Sequence, residues 1–447
     1  MPKSLRAALV PAALLLLSCH REPARPRNVL FILVDTLRAD RLGIYGYGRR
    51  TSPNLDAFAR RAVRFDNARS QASCTFPSAN SILTSRWPAA FLGQPDQAVG
   101  IPPGIPSLAE ILQSHGYRTV AVSASAVVRN TPSPYNPSAG FGRGFEVFDE
   151  TCEWRSAACV NRKAMPHLQE GERPLFLYLH YLDPHAPYQP PKTWRRRFAV
   201  GQPADRWVRK GDPNPLGRWI YAHKKNPGLT PANLQFLKDL YDEEIAFFDA
   251  QFAVLIDKLR AAGLLEDSIL VFTSDHGEEL LEHGHVNHCR VLFDSSIRVP
   301  LFLRIPGVKA RTVAPPVQSL DLVPTILDYL GIDAKPYRLE GRSLRPLLVG
   351  QGAGDVQFGL QGTYRSVADG RFKLIQDLDS GAVSLFDLAA DPGETADVLI
   401  RQRRAYFRLR GALTAWLART EGNGTAEESV RKARETDGRL RSLGYIE

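Results

Sequence analysis

Three apolar runs, each ending in acids or histidines, constrain this chain more than any other feature. NVLFILVD (Asn28 to Asp35), PLFLYLHYLDPH (Pro174 to His185) and SILVFTSDHGEE (Ser268 to Glu279) are continuously apolar until their ends. That is the pattern of parallel strands covered on both faces. Between and around them lie helical patterns, SPNLDAFARRA (Ser52 to Ala62), SLAEILQSHG (Ser107 to Gly116) and LYDEEIAFFDAQFAVLIDKLRAAG (Leu240 to Gly263), with capping residues in place. Strands alternating with helices predict an α/β fold, a doubly wound, mostly parallel sheet flanked by helices. Ligands in such sheets gather at the carboxyl ends of the strands.

The texture changes after VPLFLRIPG (Val299 to Gly307). SLDLVPTILDYLG reads as one more helix, and RSVADGRFKLIQDLDSGAVSLFDL (Arg365 to Leu388) carries short alternating runs separated by Asp/Gly turns. The latter predicts an antiparallel sheet. We therefore expect a catalytic domain at 28–315 and a smaller α+β subdomain with a helical tail at 316–447.

At the other end, MPKSLRAALVPAALLLLSC has a basic start, an apolar run too short to span a bilayer and a small residue before a cysteine. This layout predicts a secretory signal at residues 1–18, and Leu16-Leu17-Ser18-Cys19 resembles a lipobox in which Cys19 is lipidated. Residues 19–27 then form a polar tether. The expected place is the bacterial cell envelope, periplasm-facing or on the cell surface, held by a lipid anchor only.

Export bears on charge and cysteines. The formal charge is +10; removing residues 1–18 takes Lys3 and Arg6 with it and leaves +8. Such a balance suits nucleic acid, anionic lipid or anionic substrates, and export removes nucleic acid from that list. In an oxidising compartment Cys152 and Cys159, with six residues between them, are a candidate disulfide. Cys74 and Cys289 each stand beside a candidate catalytic residue, and their pairing is left open.

Of the 10 histidines, six fall in two segments: His180 and His185 in HYLDPHAPY, and His276, His283, His285 and His288 in SDHGEELLEHGHVNH. Asp275 and His276 past one strand and Asp35 past another offer donors suited to a divalent metal. A carboxylate and imidazole mixture favours zinc or manganese, whereas an all-oxygen set would favour calcium or magnesium.

NVLFILVDTLRADRLGIYGY, TFPSANSILTS, HYLDPHAPY, SDHGEELLEHG and HCRVLFDSSIRVPLFLRIPG, in that order, resemble the successive motifs of the sulfatase family within the alkaline phosphatase superfamily. SLDLVPTILDYLGI, RFKLI and SLFDLAADPGE resemble that family's smaller C-terminal subdomain. The resemblance implies an alkaline phosphatase-like fold and a metal-bound nucleophile. Sulfatases proper carry Cys-x-Pro-Ser-Arg, whose Cys becomes formylglycine. Here the residue two before Pro77 is Thr75, and the Arg position holds Ala79, so formylglycine is not expected. A branch of the superfamily that transfers phosphoethanolamine or phosphoglycerol uses Thr at this position to form a covalent phospho-enzyme.

By that likeness the metal ligands are Asp35, Thr75, Asp275 and His276, with Thr36 where many sulfatases have a second Asp. His185 and His288 face the substrate as catalytic groups beside Thr75. His180, Asp183, His283 and His285 are candidates to bind substrate, back the ligands or hold a second metal. Arg38 and Asp40 are expected to organise their loop; Ser78 and Asn80 either position the nucleophile or merely cap a turn.

The implied function is metal-dependent hydrolysis of a sulfate or phosphate ester, with Thr75 favouring a phosphate mono- or diester. The alternatives are a phosphoethanolamine- or phosphoglycerol-type phosphotransferase and a non-catalytic binding protein on the same fold. Expected partners are anionic small-molecule, glycan or lipid-headgroup esters. The basic, aromatic segment from Trp194 to Lys225 reads either as a recognition element for such a group or as a solvated lid.

Overall fold

A computed structural model of the chain describes residues 27–91, 100–199 other than 155 and 170, residues 216 and 218–220, and 228–431 other than 423, 426 and 430. The expected signal and lipidation site, the tether up to residue 26 and most of the 194–225 segment lie outside the described residues. Among the described residues no helix is long and apolar enough to cross a membrane.

The chain lays down β1 (Asn28–Val34), β2 (Val63–Phe65), β3 (Ala68–Arg69), β4 (Arg118–Ser123), β5 (Val147–Asp149), β6 (Leu175–Tyr181) and β7 (Ser268–Ser274). The two-residue strands β8 (Glu279–Leu280) and β9 (Val286–Asn287) follow, then β10 (Leu301–Arg304), β11 (Arg311–Val313) and β12 (Val317–Gln318). Eight of these form one sheet in the order β11-β2-β10-β7-β1-β6-β4-β5. The strands β7-β1-β6-β4-β5 are parallel, whereas β10 runs antiparallel to both its neighbours. Every residue of β1, β6 and β7 is buried, because one hydrophobic cluster covers each face of the sheet.

Helices α1 (Pro53–Ala59), α2 (Thr75–Thr84), α3 (Leu108–Ser114), α4 (Ala157–Ala164), α5 (Pro231–Ala261) and α7 (Leu322–Leu330) supply that cover, and the short α6 (Asp294–Ile297) contributes to neither cluster. Helix α5 begins before the predicted Leu240, since Thr230 caps it through the Asn233 amide and Pro231 occupies its first turn.

Register decides where function sits. Val34 of β1 pairs with Tyr181 of β6 and with Ser274 of β7, so three strands end level. Asp35, Leu182 and Asp275 therefore leave the sheet along one edge, and the Asp35 amide donates to the Tyr181 carbonyl at 2.9 Å.

The C-terminal part is an antiparallel meander, β13 (Gln357–Gln361), β14 (Tyr364–Ala368), β15 (Phe372–Asp377) and β16 (Val383–Asp387), with α8 (Arg403–Thr420) packed on it. Trp416 of α8 stacks on Phe358 at 5.0 Å and meets Trp87 of the larger sheet's surroundings edge-on at 5.3 Å. A buried ionic cluster completes the junction. Asp294 of α6 accepts from Arg69 at 2.8 and 2.6 Å, and the fully buried Lys373 ammonium of β15 lies 2.8 Å from both Asp294 and Glu394. Burial alone would raise the Asp294 carboxyl, but the Arg69 and Lys373 charges outweigh it and hold that group well below the usual carboxylate range.

Lys373→Met leaves two acids buried around one arginine and is expected to destabilise the fold by about 3–5 kcal/mol, read as the shift of a urea unfolding midpoint. A loss below about 1 kcal/mol would show that the cluster does not hold the two parts together.

Candidate active site

Two buried carboxylates converge at the level strand ends. Asp275 accepts the amides of His276 at 2.9 Å and Thr36 at 3.2 Å on one oxygen. Its other oxygen, and Oδ1 of Asp35, meet no donor among the described residues. Thr36 has φ 56°, a left-handed conformation that opposes its β-branched side chain. The bend is held by Tyr241, whose hydroxyl donates to the Thr36 carbonyl at 2.7 Å.

Burial and the neighbouring Asp35 push Asp275 up to about 7. At Asp35 burial acts in the same direction, but the imidazoles of His185, His180 and His276 prevail and lower it. His180 is fully buried, with Nε2 at 3.6 Å from Asp35 and Nδ1 at 3.0 Å from the Tyr178 hydroxyl.

His276 contributes the third donor. Its Nδ1 lies 2.9 Å from the Gly277 carbonyl, which can only accept. The Nδ1 proton therefore points there, and Nε2 is left with a free electron pair. Nε2 stands 3.4 Å from Asp275 and 3.8 Å from Asp35. Ligand atoms of Asp35, Asp275 and His276 all lie within 4.8 Å of one another. Unsatisfied carboxylate oxygens beside an unprotonated imidazole nitrogen, all buried, fit a divalent cation better than any arrangement of protons.

Thr75 is brought to this cluster by α2. Cys74 caps that helix in extended conformation, Thr75 is its first residue, and the Thr75 hydroxyl lies 3.1 Å from His276 Nε2. Ser78, one turn on, donates to the Asp275 carbonyl at 2.5 Å and so pins the helix start to the end of β7. The positive end of the helix faces the point where an alkoxide or a bound oxyanion would carry charge. Cys74 is joined to Cys289 in a disulfide, which ties the neighbour of Thr75 to that of His288.

A cavity of about 360 Å³ opens over this centre, and Asp35, Thr75, His185 and His288 all line it. His185 Nδ1 is held by the Ala186 carbonyl, and burial lowers this imidazole. His288 Nδ1 lies 3.1 Å from Glu278, a carboxyl that burial raises to about 7. The His288 ring is 5.0 Å from His185 and 4.6 Å from His276, centroid to centroid. Asn287 and Cys289 on either side of His288 are both left-handed, φ 64° and 66°.

The structure does not bring the remaining candidates to this cavity. Asp183 lines a neighbouring cavity with Glu244 and accepts the Ala157 amide at 2.7 Å. His283 stacks on Phe293 at 3.6 Å, pairs with Glu279 and lines a separate charged cavity with Arg38 and Glu282. His285 sits in the turn between β8 and β9, where its carbonyl accepts the Leu281 amide. Arg38 closes its own loop through Asp40 and the Glu278 carbonyl. Cys152 and Cys159 form the second disulfide. Glu278 was not singled out in the sequence; its signal is its place in DHGEE, two residues after His276.

A family model described as "Sulfatase" matches residues 27–332, and one described as "N-sulphoglucosamine sulphohydrolase, C-terminal" matches residues 281–421. The chain is similar to an ulvan-active sulfatase of Formosa agariphila, 28% identical over 350 residues covering 73% of this chain and 66% of that protein. It is also similar to a choline-sulfatase of Rhizobium meliloti, 25% identical and covering 83% of this chain and 82% of that protein. In fold it resembles the solved phosphonate monoester hydrolase of Agrobacterium radiobacter, with a TM-score of 0.70 over 89% of this chain and 96% of that chain at 22% identity.

Saturating calcium, manganese or zinc is expected to raise the melting temperature of chelator-treated protein by ~5 °C, and Asp275→Asn to abolish that rise. Equal rises in both proteins would place the cation elsewhere.

Proposed function

We propose that this chain, which belongs to the sulfatase family, hydrolyses a phosphate ester or diester with Thr75 as its nucleophile. Membership makes it a hydrolase of the sulfatase class, of the kind that acts on sulfate esters. The preference for phosphate is the finer reading, and one observation carries it. The Thr75 hydroxyl, not a Cys74 thiol, points at the Asp35, Asp275 and His276 cluster, while the Cys74 sulfur is consumed in a disulfide.

The chemistry of the second half-reaction supports phosphate. An aldehyde hydrate can release sulfate by collapsing to the aldehyde, because it carries a second hydroxyl on the same carbon. Threonine has one hydroxyl, so its ester must be cleaved by water attacking the central atom. Phosphoryl transfer to and from a side-chain oxygen proceeds readily by that route.

Asp35, Asp275, His276 and the Thr75 oxygen would hold the cation. A bound divalent ion there would polarise the ester oxygens and favour the ionised hydroxyl of Thr75. The Thr75 oxygen attacks phosphorus opposite the leaving alcohol; the bond from phosphorus to that alcohol breaks, and a phosphothreonine remains. His185 or His288, both on the cavity wall, takes up the proton that the Thr75 hydroxyl loses and delivers it to the departing oxygen. Water then attacks phosphorus and gives a proton to the same imidazole, the bond to Thr75 breaks, and that proton restores the Thr75 hydroxyl. Glu278 keeps the His288 ring turned toward the cavity. Location at the envelope through lipidated Cys19 belongs to this proposal and would place the site facing envelope esters.

The test is a matched set of aryl sulfate, aryl phosphate and aryl phosphodiester offered to the wild type, Thr75→Ala and Cys74→Ala. The expected outcome is turnover of a phosphate substrate that drops by roughly 10³-fold or more in Thr75→Ala and persists in Cys74→Ala. Turnover that survives Thr75→Ala and disappears in Cys74→Ala would overturn the assignment.

A further inference from the structure

The cavity has two unlike sides. The catalytic groups come from the ends of β1, β6 and β7, from α2 and from the segment after β9. The opposite wall comes from the segments after β4 and β5, where Ala126, Val127, Tyr135 and Trp154 face the same space. Among its described lining residues there is no lysine and no arginine, and the far wall carries no charged side chain.

Trp154 and Tyr135 are 41% and 48% exposed. Two large rings left open to solvent inside a catalytic cavity call for an explanation other than packing. They meet edge-on at 5.7 Å, and the Trp154 ring stands 5.9 Å from that of His185. Successive ring contacts thus link Tyr135, Trp154, His185, His288 and His276.

The backbone under Trp154 is built for this placement. The residue has φ 55°, a left-handed conformation that a bulky side chain adopts only when its surroundings enforce it. Here the enforcing contacts are explicit. The Cys152–Cys159 disulfide closes the loop that contains it, its amide donates to the Ala124 carbonyl at 3.2 Å, and the Ala157 amide docks on Asp183. Neighbouring Glu153 is paired with Arg129. The loop is fixed at both ends while its aromatic side chain stays accessible.

We infer that Trp154, with Tyr135, is the platform that binds the leaving alcohol, and that this alcohol presents a flat ring face. Such a face stacks on an indole by dispersion and C–H contacts. The inference rests on the hydrolase reading above but specifies a different half of the substrate. Aryl alcohols and single pyranose rings share this chemistry.

The experiment compares phenyl phosphate, a pyranoside phosphate and ethyl phosphate in the wild type, Trp154→Ala and Trp154→Phe. The expected result is that the ratio of kcat/KM for a ring ester to that for ethyl phosphate falls about tenfold in Trp154→Ala, mainly through KM. Trp154→Phe is expected to retain most of the ratio. Whichever ring ester shows the larger fall identifies the ring class. An unchanged ratio, or an equal loss on all three esters, would overturn the platform. If the wild type turns over none of them, the phosphate reading fails, and titration with phenol and with a methyl pyranoside decides the platform alone. Ring binding that weakens in Trp154→Ala supports it, and equal binding in both proteins contradicts it.

Discussion

Two carboxylates buried at the ends of neighbouring parallel strands, each with one oxygen that meets no donor among the described residues, are the constraint on which the rest of the site depends. Taking even one ionised carboxylate out of water is unfavourable by several kcal/mol unless charge or protons compensate. Asp35 and Asp275 leave oxygens unmatched, and His276 turns an unprotonated nitrogen toward them. The sheet cannot relieve this by moving, because Val34 is locked in register between Tyr181 and Ser274. The arrangement is therefore a standing demand for a cation, written into the backbone by strand register and by the left-handed bend at Thr36.

Around that demand the chain builds two separate supports. Ser78 and the Cys74–Cys289 disulfide fix the first turn of α2 against β7 and against the His288 segment. The Cys152–Cys159 disulfide fixes the opposite wall. One covalent link thus holds the Thr75 side of the cavity and the other the Trp154 side. The ionic cluster of Arg69, Asp294, Lys373 and Glu394 lies behind both, joining the meander to the helix that follows the His288 segment.

Much of this was legible in the sequence, for a physical reason. Parallel strands covered on both faces read as unbroken apolar runs, so β1, β6 and β7 and the acids that end them stood out. Other features depend on contacts that the linear order hides. β10 inserts antiparallel between β2 and β7, although its apolar run looks like the others. Cys74 and Cys289 are 215 residues apart and meet only because α2 and the His288 segment share one strand edge. His283 and His285 precede His288 in one short motif, yet the β8–β9 turn carries them away while Asn287 to Cys289 return to the cavity. Trp154 carries no sequence signal beyond lying between two paired cysteines.

The most direct test is mass spectrometry of peptides from protein quenched in acid during turnover of a phosphate ester. A phosphoryl group on Thr75, in a peptide still linked through Cys74 to Cys289, is the predicted result. An unmodified Thr75 together with formylglycine at position 74 would contradict the account.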